Sequence, residues 1–294
     1  MLLEKYEHNP ILSSTKNIWE NKAVFNCGAT LYKNKVYLLY RAMGEDNVSR
    51  LGLAISKDGY TIDKRFPNPL YEPQLEFEQK GIEDPRITKI NDTYHIVYSG
   101  FWDIVKNENR TRVILTKTKD FRNFSFFGVM LPGENNKDGA LFSKKFRDNY
   151  ILIHRRFPNI WIANSKNMID WFNHRVLLRP RKGKWDSERI GVGPPPLKTK
   201  EGWLLIYHGV DKCCTYRLGA VLLDLKNPAI VLKRYDKPIV EPTESWEKKG
   251  LVNNVIFSCG LVEIRNKYLL YYGGADKYIG VATIDKKELL ENLK

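Results

Sequence analysis

The chain of 294 residues holds only four cysteines, Cys27, Cys213, Cys214 and Cys259, and none forms a Cys-x-x-Cys pair. That excludes a zinc ribbon or a disulfide framework and points to a reducing, cytoplasmic setting. Long apolar runs are missing as well. Every run is cut by charge far short of the roughly 18 residues a spanning helix needs, so no membrane association is expected. The opening MLLEKYEHNPILSS lacks a basic stretch followed by a long apolar one, so no secretory leader is expected. Helical periodicity is scarce and confined to residues 285–294. No block of five basic residues occurs, although 48 basic against 34 acidic residues give a net charge of +14. Charge spread this way favours anionic partners but lays no track for nucleic acid. His208 and Asp211 lie close in sequence without a third ligand, so no metal and no cofactor are expected.

What the sequence has is repetition. Five segments share a β-rich run of aliphatic and aromatic residues: VYLLYRAM at 36–43, YHIVYSGF at 94–101, YILIHRRF at 150–157, WLLIYHGV at 203–210 and YLLYYGGAD at 268–276. Each is preceded by a short apolar strand and a turn, and followed by a third strand that ends in a charged turn. Antiparallel strands repeated five times at a period near 55 residues predict an all-β chain: one five-bladed β-propeller over residues 1–294, with a short C-terminal helix.

In such a blade, the start of the first strand and the end of the second lie at one end of the channel. The loop into the third strand lies there too. That topology brings together Asn26, Glu83, Asp84, Arg86, Lys137, Asp138, His154, His208 and Asp276, with Arg41, Arg112, Arg155, Arg156 and Tyr216 nearby. The opposite end collects turn residues such as Lys33-Asn34 and Asn91-Asp92. One end reads as a site and the other as scaffolding.

The ordered set FNCGA, YRA, GIEDPRIT, KDGALF, HRR, GVGPPPL, LLIYHGV, YRLGAVLLDL, NVIFSCG and YYGGAD resembles glycoside hydrolase family 130, from about residue 9 to residue 284. The resemblance implies a five-bladed propeller that cleaves β-mannosides with inorganic phosphate and inversion, releasing α-mannose 1-phosphate. Its partners would be a β-mannoside and phosphate, and a homo-oligomer is compatible with the chain. A β-1,2 linkage is favoured because the chain is short and lacks long insertions; a β-1,4-mannooligosaccharide or mannosylglucose substrate is the alternative.

Inverting cleavage needs an acid for the leaving oxygen and a nucleophile on the opposite face of the sugar. A hydrolase recruits a second carboxylate to activate water, whereas a phosphorylase needs cations to hold phosphate. By the resemblance, Asp84 of the EDPR motif is the acid, acting through the sugar 3-hydroxyl. Pro85 is expected to hold Asp84 extended, and the adjacent Glu83 to point to the other side of the strand. Lys137, His154 and Arg112 match phosphate-binding positions, and Arg122 is a weaker candidate. Asn26, Arg41 and Asp276 match positions around the mannosyl ring; Glu83, Asp138, His208 and Tyr216 complete the expected substrate site. HRRF departs from the family's usual arginine-proline, and its two arginines alternate in face, so at most one reaches the channel easily. Trp185, Asp186 and Glu188 form either a lid or a connection. A hydrolase on this scaffold would use Glu188 or Asp211 as base; a non-catalytic carbohydrate-binding propeller is the remaining alternative.

Overall fold

The computed structural model describes residues 1–106 and 108–293. Five antiparallel units follow one another along the chain. The first contains Ala23–Tyr32, Lys35–Met43, Ser49–Ser56 and Lys64–Arg65; the second contains Gly81–Ile90, Thr93–Val105, Glu108–Thr118 and Phe124–Val129. One parallel pairing, Ser49 with Gly81, joins them into a single sheet. The third unit is Lys137–Leu141, Tyr150–Arg156, Asn159–Ser165 and Phe172–Leu178. The fourth is Arg189–Val192 with Leu197–Lys198, then Trp203–Val210, Tyr216–Leu223 and Val231–Arg234. The fifth, Ile256–Ile264, Lys267–Gly274 and Tyr278–Asp285, is completed by Glu4–Lys5 from the start of the chain.

The charged turns that mark the repeat in sequence share a physical basis. After each third strand a short polar side chain accepts from backbone amides two and three residues on, which reverses the chain without leaving those amides unpaired. The acceptors are Asp58, Asp120, Asn167, Asp224 and Asp285. In the fifth unit that turn caps the helix Lys286–Glu291, the expected C-terminal helix. Its predicted last residue, Lys294, lies outside the described residues. Helix is not confined to that tail, however. Ser245–Lys248 forms one turn that brings Glu247 to the Tyr272 hydroxyl, which donates to it at 2.9 Å.

The core lies between units. Alternating side chains of the first and second unit meet around Leu39, Leu53, Ile82 and Tyr98. The second meets the third around Val97, Leu115 and Leu152, the third the fourth around Ile153, Val192 and Trp203, and the fourth the fifth around Ile206, Leu218 and Leu270. A fifth layer returns from the last unit to the first, through Val24, Leu38, Leu269 and Val281. Each sheet therefore buries both faces, which is why the second strands read as nearly continuous apolar runs.

A second repeated feature holds the outer side of the units. The tyrosine of the second strand donates to a buried acid in four of them: Tyr40 to Glu20, Tyr98 to Glu78, Tyr207 to Asp186 and Tyr272 to Glu247. In the third unit that tyrosine position is occupied by His154.

Candidate active site

The first strands of the first three units each carry a bulge at the same place. Asn26 and Cys27 together oppose Tyr40, Asp84 and Pro85 oppose Tyr98, and Asp138 and Gly139 oppose His154. The first residue of each bulge is left-handed, with φ of 47° at Asn26, 53° at Asp84 and 59° at Asp138. Asn and Asp tolerate this region better than other non-glycine residues, and the bulge re-aims the side chain it displaces. The second residue of the third bulge packs close to the neighbouring unit: a Cβ on Gly139 would stand 2.5 Å from the Val113 side chain of the second unit. The same device thus delivers three polar side chains to one place.

That place is a cavity of about 480 Å³. Asn26, Arg41, Asp84, Lys137, Asp138, Tyr216 and Asp276 line it, as the topology predicted, together with Arg155 and Phe257. Hollows on the outer surface are larger, such as one of about 1170 Å³ beside Lys198 and Glu291, but none of its carboxylates, Glu201, Glu263 or Glu291, is buried as Asp84 and Asp138 are.

Asp84 is almost fully buried, and both of its side-chain bonds fall on Oδ1, from Asn26 Nδ2 at 2.9 Å and Arg41 Nη1 at 3.2 Å. The expectation that Pro85 keeps Asp84 extended is not met, because the bulge turns it left-handed. Nor do Glu83 and Asp84 part company: Arg41 holds Glu83 Oε1 at 2.6 Å with its other nitrogen. Glu83 therefore anchors Arg41 from outside the cavity wall. Arg86, fully buried, donates to the carbonyls of Asp84, Val192 and Gly193 at 2.8–2.9 Å and lies 3.4 Å from Asp138. It ties the second unit to the third and fourth.

Asp138 is a carboxylate already spoken for. Burial pushes its carboxyl up, but Arg155, 3.1 Å away, and Arg86 outweigh burial and hold it below the usual carboxylate range. Asp276 shows the opposite balance. Burial raises its pKa to about 6, with Arg41 opposing.

Three expected ligands stand elsewhere. Both ring nitrogens of His154 are engaged, Nδ1 with Asn136 at 3.0 Å and Nε2 with His174 at 3.3 Å, because its register sends it away from the cavity. Arg112 donates to the Thr111 and Glu134 carbonyls and rests against Phe77 and Trp102. His208 lies behind the wall, packed on Phe257 and 4.0 Å from Asp138, with burial driving its pKa down to about 3. Arg122 is exposed in the turn at the far end of its strand. Arg156 pairs with Glu134, while Arg155 reaches the cavity, so the two do alternate. Asp186 is buried under Tyr207, Arg181 and Arg234, which makes its loop a connection and not a lid.

Arg155 is the residue the sequence reading left unassigned. The signal was present: it follows the repeat's tyrosine position by one, as the cavity-lining Arg41 does. Arg189, whose Nη2 donates to the Tyr216 hydroxyl at 2.7 Å, was also passed over.

The family model described as beta-1,4-mannooligosaccharide phosphorylase, of glycoside hydrolase family 130, matches residues 3–294. Two proteins of Thermoanaerobacter sp. (strain X514), a 1,2-beta-oligomannan phosphorylase and a beta-1,2-mannobiose phosphorylase, are each 42% identical, covering 98% of both chains. The beta-1,2-mannobiose phosphorylase of Listeria innocua, solved with beta-1,2-mannobiose, is similar at a TM-score of 0.89 and 31% identity over 100% of this chain and 99% of that one. The chain belongs to glycoside hydrolase family 130.

Proposed function

We propose that this protein is an inverting β-1,2-mannoside phosphorylase. It would transfer the mannosyl group of β-1,2-mannobiose or a β-1,2-oligomannan to inorganic phosphate, giving α-mannose 1-phosphate and a sugar shortened by one unit. The linkage follows the two relatives at 42% identity rather than the β-1,4 description of the family model. The five units act as blades of one propeller domain, a reading supported by the core layers that run from each unit to the next and back to the first.

One observation carries the reaction type: Asp84 shares its cavity with Lys137 and Arg155, while the carboxylates named for water activation lie outside it. Asp211 is paired with Arg217 at 2.6 Å, and Glu188 is exposed. In the forward direction Asp84 supplies the proton to the departing oxygen. A phosphate oxygen attacks the anomeric carbon from the other face, held by Lys137 and Arg155, with Arg189 behind Tyr216. Both cations act by position and charge, and the phosphate needs no base. Asn26, Arg41 and Asp276 pair with sugar hydroxyls. The four cysteines are free, which supports the cytoplasmic setting. Among the described residues no helix is long and apolar enough to cross a membrane.

The reverse reaction tests this. With α-mannose 1-phosphate and mannose, the enzyme should release phosphate and form a β-1,2 disaccharide, identified by NMR. Asp84→Asn should lower the rate by about 10²–10⁴, the usual worth of a general acid. Hydrolysis of β-mannobiose to free mannose at an unchanged rate without phosphate would replace this reading by the hydrolase.

A further inference from the structure

The third unit breaks the tyrosine–acid pattern at the point where two phosphate-holding cations sit. Asn136 directly precedes Lys137, and His154 directly precedes Arg155; Lys137 and Arg155 are paired across the two strands. The hydrogen bond between Asn136 and His154 therefore pins together the two backbone segments that carry the cations.

The polarity of that bond is determined from both ends. Asn136 Nδ2 donates to Glu134 Oε2 at 3.1 Å, and a carboxylate can only accept, so the amide presents its NH₂ group to His154 Nδ1. His154 Nδ1 then accepts, its proton sits on Nε2, and Nε2 donates to His174 Nδ1. His174 in turn donates from Nε2 to the Trp171 carbonyl at 3.2 Å, which can only accept. Every bond has one donor and one acceptor, and no position is left for an additional proton. Burial, with Arg156 adding to it, lowers the His154 pKa to about 3, consistent with a neutral ring.

The acid of the pattern is still present. Glu134 stands three residues before the first strand, as Glu20, Glu78 and Asp186 do in their units. With no tyrosine to receive, it accepts from Asn136 and is clamped by Arg156, while Arg112 holds its carbonyl. Two arginines and the histidine of the HRR stretch and its neighbourhood are thus consumed in a support, and one arginine is left for the cavity.

We propose that Asn136, His154 and His174 are positioning residues: a neutral hydrogen-bond chain that holds Lys137 and Arg155 in register and so sets the affinity for inorganic phosphate. This rests on the phosphorylase reading. The chain touches neither phosphate nor sugar.

The test uses the half-buried His174, the member farthest from the cavity. His174→Ala removes the acceptor for His154 Nε2, whereas His174→Asn can keep one. Phosphate binding is measured by calorimetry with inorganic phosphate alone, and KM and kcat are measured for phosphate and β-1,2-mannobiose. His174→Ala should weaken phosphate binding and raise its KM about tenfold, the effect of one hydrogen bond. The kcat at saturating phosphate and the mannobiose KM should stay within about twofold, and His174→Asn should recover most of the loss. In ¹⁵N spectra of the wild type, His154 should show a bare Nδ1 and a protonated Nε2. Unchanged phosphate affinity in His174→Ala, equal losses for both substrates, or the opposite His154 tautomer would overturn the proposal. If the wild type neither binds nor needs phosphate, the phosphorylase reading fails first and this one with it.

Discussion

In the fourth unit Tyr207 donates to the buried Asp186, which also takes Arg181 and Arg234, and the cluster ends there as a brace. In the third unit the same strand position holds His154, the acid is the half-exposed Glu134, and the cluster ends beside Lys137 and Arg155. Both units use one scaffold, one register and one offset between acid and strand. The difference is that a brace with a single task was replaced by a polar chain whose neighbours on both strands face the cavity. The repeat departs from its siblings at one residue, and that residue lies beside the proposed site.

Four measurements would sharpen or break that contrast. The largest effect is expected where the second, third and fourth units meet. Arg86→Met leaves Asp138 short of one of its two cations and three carbonyls unpaired, and should cost about 3–5 kcal/mol in urea unfolding. A loss under 1 kcal/mol would mean that the units hold together without it. Next, Arg155→Ala should raise the phosphate KM about 10–100-fold, since bonds to charged groups are worth about 1.5–3 kcal/mol. An effect confined to the mannoside KM would move Arg155 from the phosphate to the sugar.

Tyr207→Phe supplies the control from the bracing unit. It should cost about 1 kcal/mol of stability and leave the phosphate KM unchanged. A rise in phosphate KM like that of the third-unit variants would erase the distinction between the two clusters. The smallest effect concerns Asp276, whose folded pKa of about 6 lies above its ordinary value. Burial favours the protonated form, so this group's contribution to stability falls as pH rises from about 4 to 6 and is flat above. As it ionises it becomes a stronger acceptor for a sugar hydroxyl, so the mannoside KM should fall about fivefold as pH rises through 6. That inflection should vanish in Asp276→Asn.

The repeat was legible because it is written in local chemistry. Runs of aliphatic and aromatic residues and a polar turn after each third strand are properties of short segments, and the five predicted second strands all appear. The convergence of Asn26, Asp84, Lys137, Asp138, Tyr216 and Asp276 was legible too, because antiparallel topology dictates which strand ends share a mouth. The prediction failed on side-chain direction. Pro85 argued for an extended Asp84, yet the bulge overrode it; His154 and Arg112 carried the right chemistry on strands of the right unit but face away from the cavity.

From the sequence alone came the repeat, the family, the strand ends that meet at the cavity and Asp84 of the EDPR motif as the proposed acid. Tertiary structure decided which cation among Arg112, His154, Arg155 and Arg156 reaches the cavity, and which carboxylate stays free of an arginine. The reason is geometric. On a strand, neighbouring side chains point to opposite faces, and a single-residue bulge resets which face is which. Charge and residue type are carried by the sequence, whereas the face and the partner are settled only when all five units have packed.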